Sequence, residues 1–163
     1  MRNVIAVYVE NKYGVLTRVA GLFMRRGFNI DSLTVGETDD PAYSRITITM
    51  QGDEYERHQV INQVKKLHNV KRVKLLEAEG SVERELLLVK VKNTPETRGE
   101  IMAAAEIFRA KIINYTVDSL CVEVTGEPSK IKAFIEVMKP LGIIEMCRTG
   151  VVALERGKTI LEK

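Results

Sequence analysis

The sequence contains no tryptophan, and aromatic residues make up only 6% of it. The core of a 163-residue chain of this kind must be aliphatic, and aromatic stacking platforms are not a theme. Cysteine occurs only at 121 and 147, in β-like apolar runs, without CxxC spacing or a neighbouring histidine. That pattern argues against a zinc framework or a disulfide-stapled scaffold and predicts buried free thiols in a reducing compartment. His58 and His68 lie on or beside the polar side of one predicted helix, away from ligand spacing, so both read as surface residues and no metal is expected. Long apolar runs are missing too. The run in "MRNVIAVYVENK" breaks after a few residues, and nothing approaches the roughly 18 apolar residues of a membrane span, so a cytoplasmic chain with no membrane association is expected.

Charge of one sign is also lacking: 25 basic and 22 acidic side chains are intermixed and sum to +3. A protein that grips phosphates shows a segregated basic face instead. The densest basic run, "KKLHNVKRVK" from Lys65 to Lys74, contains no acid and reads as a solvated helix end and strand in preference to a polyanion patch. Catalytic signatures are absent. There is no GxSxG, HExxH or strand-following GxGxxG, and "GEPSKIK" lacks the Gly-Lys-Ser/Thr of a phosphate loop. Asp39 and Asp40 precede Pro41 in a turn, where acids serve local hydrogen bonding. No catalytic residue is assigned.

What the chain does have is a twice-repeated order of elements, and 45% hydrophobic content is ample for a core. Asn3 to Glu10 is β-rich; Leu16, Val19, Ala20 and Phe23 then fall at helical spacing until Gly27. "NIDSLTVGET", the turn "DDPA" and "YSRITITMQG" make a hairpin, Asp53 caps a helix striped by Val60, Ile61, Val64 and Leu67, and "VKRVKLLEAE" closes the set. The second half repeats this order. "ERELLLVKVK" leads to a helix begun by Thr94, Pro95 and Glu96; "KIINYTVDS" and "LCVEVTG" pair; a helix from Pro128 precedes the last strand, "IIEMCRTGVVALE". The joint lies near "EAEGSVERE", giving domains 1–78 and 79–163.

The fold class is therefore α+β, two ferredoxin-like β-α-β-β-α-β sandwiches. Such folds also carry RNA, but an RNA-recognition sheet needs aromatics on its first and third strands; "SRITITM" has none and only Tyr8 is aromatic on the first, so nucleic acid is not an expected partner. Val4, Ile5, Ala6, Val7 and Val9 are apolar on both phases of the first strand. The face away from the helices must then be covered, by a partner subunit or by the second domain. At least a dimer is expected.

The junction "ENKYGVL" suits a small zwitterion. Gly14 permits unusual backbone angles and leaves amide donors open at a helix start, where the positive end of the helix dipole favours a carboxylate. The amide side chains of Asn11 and Asn29 both donate and accept without adding net charge. Ordinary turn and cap chemistry also accounts for an Asn before a Gly at this position.

"VENKYGVLTRVAGLFMRRGFNIDSLTV" followed by "TDDPAYSRITI" closely resembles the regulatory, or small, subunits of acetolactate synthase, whose first domain is an ACT domain. "VERELLLVKV", "EIFRAKIIN" and "RTGVVALERG" extend the resemblance to the second half. The resemblance implies a non-catalytic chain that activates a large catalytic subunit and confers feedback inhibition by a branched-chain amino acid, usually valine. It implies no cofactor on this chain, with thiamine diphosphate, Mg²⁺ and FAD on the catalytic partner. It also implies a homodimer or higher assembly through the ACT domains. The effector pocket falls on Asn11, Gly14, Val15 and Leu16 of one chain and Asn29 and Ile30 of its neighbour, with Leu16 and Ile30 lining the apolar slot. The alternative is a free-standing ACT-type amino-acid sensor acting on another enzyme or a gene. "ERELLLVKV" reads as a core strand of the second domain in preference to a docking segment.

Overall fold

A computed structural model describes residues 1–161. β1 (Arg2–Glu10), α1 (Val15–Arg25), β2 (Ser32–Glu37), β3 (Tyr43–Gln51), α2 (Glu54–Val64) and β4 (Val70–Leu76) form the first set of elements. β5 (Ser81–Lys92), α3 (Arg98–Ile107), β6 (Lys111–Tyr115), β7 (Ser119–Gly126), α4 (Pro128–Met138) and β8 (Ile143–Arg148) form the second, and β9 (Val152–Glu155) follows. The β-α-β-β-α-β order thus occurs twice, as the hydrophobic patterns predict. Among the described residues no helix is long and apolar enough to cross a membrane.

By contacts the chain divides into Met1–Val82 with the segment from Val151 onward, and Glu83–Gly150. Sequence patterning assigns all of 79–163 to the second domain; the contacts return Val151 to Leu161 to the first unit, and Glu162 and Lys163 lie outside the described residues. The physical reason is hydrophobic burial.

In the first unit the strands run antiparallel in the order β2-β3-β1-β4. Ile5, Val7, Ile46 and Ile48 point from one sheet face into a core closed by α1 and α2 through Val15, Val19, Leu22, Phe23, Val60 and Val64. The stripe of α1 starts one residue earlier than the spacing suggested: Val15 is buried and Leu16 is 43% exposed, because the helix begins at Val15 directly after Gly14. α2 starts as read, with Asp53 Oδ1 accepting from the Glu56 amide at 2.8 Å and Glu56 Oε2 accepting from the Asp53 amide at 2.9 Å. On the opposite sheet face Val4, Ala6 and Leu76 pack against Val151, Ala153 and Leu161. The cover demanded by the two-phase apolar pattern of β1 is therefore supplied by the chain's own returning segment. Arg45 Nη2 donates to Ala153 O at 2.8 Å and Lys74 pairs with Glu155 at 2.7 Å, fixing that segment in register.

In the second unit the order is β6-β7-β5-β8, and α3 and α4 bury Ile101, Ile131 and Phe134 against Leu87, Val89, Leu120 and Val122. α3 begins at Arg98 rather than at Thr94, after a turn in which the Thr97 amide donates to Thr94 Oγ1 at 3.3 Å. Glu85, 3% exposed, accepts a bidentate pair from Arg148, with Nε at 2.6 Å and Nη2 at 3.0 Å. Two expectations fail here. The last strand is broken at Gly150, whose φ of 80° turns the chain between β8 and β9. The cysteines are free but not buried: Cys121 is half-buried and Cys147 exposed, because they sit opposite Lys90 and Leu88 on the strand phase facing away from the helices.

Candidate functional site

β1 ends at Glu10, and the link to α1 is a short exposed loop, Asn11 to Gly14. Gly14 takes a left-handed conformation, φ 78° and ψ −3°, at the N-cap of α1. A Cβ placed there would meet nothing within 4 Å, so the need for glycine is conformational, not steric. α1 has no side-chain cap and no acid in its first turn, unlike α2 with its Asp53 box. The Val15 amide turns to Lys12 O at 3.3 Å and the Arg18 amide to Gly14 O at 3.0 Å. Leu16 and Thr17 keep amides without a backbone acceptor among the described residues. Two open donors at the positive end of a helix suit an anionic oxygen pair.

Of the residues singled out from sequence, Asn11 and Leu16 flank these donors. Asn11 is fixed: its amide donates to Ala42 O at 2.8 Å, and Nδ2 donates to Pro41 O at 3.0 Å and Glu37 Oε1 at 3.1 Å. With both Nδ2 hydrogens engaged, the group left for a ligand is Oδ1, an acceptor suited to an ammonium. Val15 turns its side chain into the core and contributes backbone alone. Leu16 presents its side chain to solvent. Asn29 is exposed and donates to Asp31 Oδ1 at 3.4 Å, while Ile30 is half-buried beside the core. Within one chain neither Asn29 nor Ile30 hydrogen-bonds or ion-pairs with Asn11 or the start of α1 among the described residues.

Sequence reasoning missed the brace under this loop. Glu10 pairs with Lys71 at 2.6 Å and Lys12 at 2.9 Å and accepts from Asn69 Nδ2 at 2.8 Å. Asn69 Oδ1 in turn accepts from Arg18 Nη1 at 2.8 Å, tying β1, β4 and α1 together. Lys71 above all, then Lys12 and Asn69, lower the Glu10 carboxyl from its ordinary 4.5 to about 2. Only the β1–β4 pairing, which joins residues some 60 positions apart, could have revealed it. Among the described residues no group of three His, Cys, Asp or Glu side chains converges as a metal site requires.

Comparison with known proteins accounts for both halves of the chain. Residues 5–72 match the family model of the AHAS small subunit-like ACT domain, and residues 84–157 match the model of the small subunit of acetolactate synthase. The probable acetolactate synthase small subunit of Archaeoglobus fulgidus is 53% identical over 96% of this chain and 98% of its own. The acetolactate synthase small subunit of Mycobacterium leprae is 46% identical over 94% of this chain and 90% of its own. The crystal structure of the acetolactate synthase small subunit from Thermotoga maritima superposes with a TM-score of 0.90 at 40% identity, covering 98% of this chain and 99% of that one. Both halves, their ferredoxin-like folds and their order along the chain are thus accounted for together, and the chain belongs to the acetolactate synthase small-subunit family, the regulatory and not the catalytic part of that enzyme.

Proposed function

We propose that this chain activates a thiamine-diphosphate-dependent acetolactate synthase large subunit and makes it sensitive to feedback inhibition by valine or another branched-chain amino acid. Thiamine diphosphate, Mg²⁺ and FAD belong to that partner. The observation that carries the effector site is the uncapped, left-handed start of α1, whose Leu16 and Thr17 amides receive the α-carboxylate. Asn11 Oδ1 accepts from the α-ammonium, and Leu16 offers an apolar wall for the side chain.

The other wall comes from a neighbouring copy. β2 is an edge strand, and between Asp31 and Glu37 it carries no charge while Val35 is 41% exposed, features that favour strand addition. Asn29 and Ile30 stand just ahead of β2, so a partner joined along this edge contributes them to the interface. An effector shared by two copies favours one arrangement of the pair, and its reach is set by its differential affinity for the two arrangements. Burying a valine side chain contributes about 2 kcal/mol and one methylene about 0.8, so selectivity among valine, leucine and isoleucine is modest.

Titration of the three amino acids into the purified chain, followed by calorimetry and sedimentation, tests the site. Saturable binding with one site per chain, hence two per β2-paired interface, is expected. Binding by a strictly monomeric chain would remove the shared-site reading, and absence of binding would remove the effector site altogether.

A further inference from the structure

The two edges of the first unit's sheet differ in charge. β2 is uncharged in its interior, whereas β4, the opposite edge, carries Lys71, Arg72 and Lys74. A groove of about 330 Å³ runs over the β4 edge, with Lys65 at the end of α2, the three β4 cations, and an apolar floor from Val73 and Leu161. Among the described residues no acidic side chain lines it. Lys71 and Lys74 are already compensated, by Glu10 at 2.6 Å and Glu155 at 2.7 Å. Lys65 and Arg72 are exposed and form no ion pair among the described residues, so the groove has a surplus of positive charge.

The alternation of β4 puts Arg72 and Lys74 on one face of the sheet, and on the helix side the charge comes from Lys65 at the end of α2. Arg72 and Lys74 pair opposite Tyr8 and Ala6 on the face of the returning segment, while Val73 pairs opposite Val7 on the helix face. Cations along an edge deter pairing with another copy of the same edge through like-charge repulsion. The same cations favour an extended segment of opposite charge, which gains backbone hydrogen bonds from the free edge and ion pairs from both sides. Without exposed rings on the groove to stack bases, the chemistry favours an acidic polypeptide over a nucleic acid.

We propose that the β4 groove docks an extended, Asp/Glu-bearing segment of the catalytic subunit, through Lys65 and Arg72. This rests on the activating role proposed above. The test uses reconstituted holoenzyme: the concentration of full-length chain that half-saturates stimulation of acetolactate formation is measured at low and high salt. For Lys65→Glu with Arg72→Glu it should rise by about tenfold at low salt, and its salt dependence should flatten. Lys65→Gln with Arg72→Gln should fall between that variant and the original chain. Valine affinity of the isolated variants should be unchanged, showing that they are folded. Stimulation by the original chain, matched by both variants at every salt concentration, overturns the groove assignment alone. An original chain that never stimulates overturns the activating role, and with it the groove's partner. Variants that stimulate normally but lose retention of a single-stranded RNA would give the groove to nucleic acid and overturn the proposal.

Discussion

Gly14→Asp is the most informative single change at the proposed effector site, because its two consequences can be separated. The residue stands at φ 78°, and a Cβ added to it would have nothing within 4 Å, so a side chain there meets no clash. A residue with a Cβ in this conformation costs about 1–2 kcal/mol, less for Asp and Asn, which tolerate it best. The charge acts on the ligand instead. An Asp carboxylate about 5 Å from the effector carboxylate repels it by about 1–3 kcal/mol at effective dielectric constants between water and a protein surface, weakening valine about 5- to 150-fold. Gly14→Asn carries the same backbone penalty without the charge. Calorimetry of valine binding should therefore rank the original chain tightest, Asn next and Asp weakest. Activation of the catalytic subunit should survive in both variants while valine inhibition of the Asp variant is lost. Equal weakening by Asn and Asp would refute the electrostatic argument, and unchanged affinity in both would remove the α1 terminus from the site.

Other expectations concern the brace under that loop and the interiors of the two units. Glu10 has its carboxyl lowered to about 2, so the stability it contributes is full above its ordinary 4.5 and is lost as pH falls from there through about 2. Glu10→Gln should flatten acid unfolding in that window, as followed by circular dichroism. Arg148→Met leaves Glu85 buried at 3% exposure without its bidentate partner and should cost about 3 kcal/mol in urea unfolding, while Glu85→Leu with Arg148→Met should recover most of it. Ala153→Asp puts an unpaired carboxylate against Val4 and Ala6 and should lower the melting temperature of the first unit by several degrees, whereas exposed Leu154→Asp should leave it unchanged.

The periodicities of the sequence carried the fold further than the site. Alternating Ile46, Ile48 and Met50 and the helical stripe of Val60, Ile61 and Val64 are local patterns, and each element formed where its pattern lay. The two-phase apolar run of β1 correctly demanded a second cover, but the covering residues Val151, Ala153 and Leu161 lie almost the whole chain away, beyond the reach of local patterning. Their alternation merged with that of β8, and the left-handed turn at Gly150 that separates the two is one glycine in an otherwise strand-like run. At the site, Gly14 before an apolar helix is a local signal and was legible. The brace of Glu10, Asn69, Lys71 and Arg18 is assembled by strand pairing and was not.

As proposed, this chain couples the abundance of an amino acid to the rate of a separate enzyme. Acetolactate formation by the purified large subunit, with and without this chain and with and without valine, tests it most directly. The rate should rise when the chain is added, and valine should inhibit only in its presence. A rate indifferent to the chain, or valine inhibition of equal depth without it, would contradict this coupling.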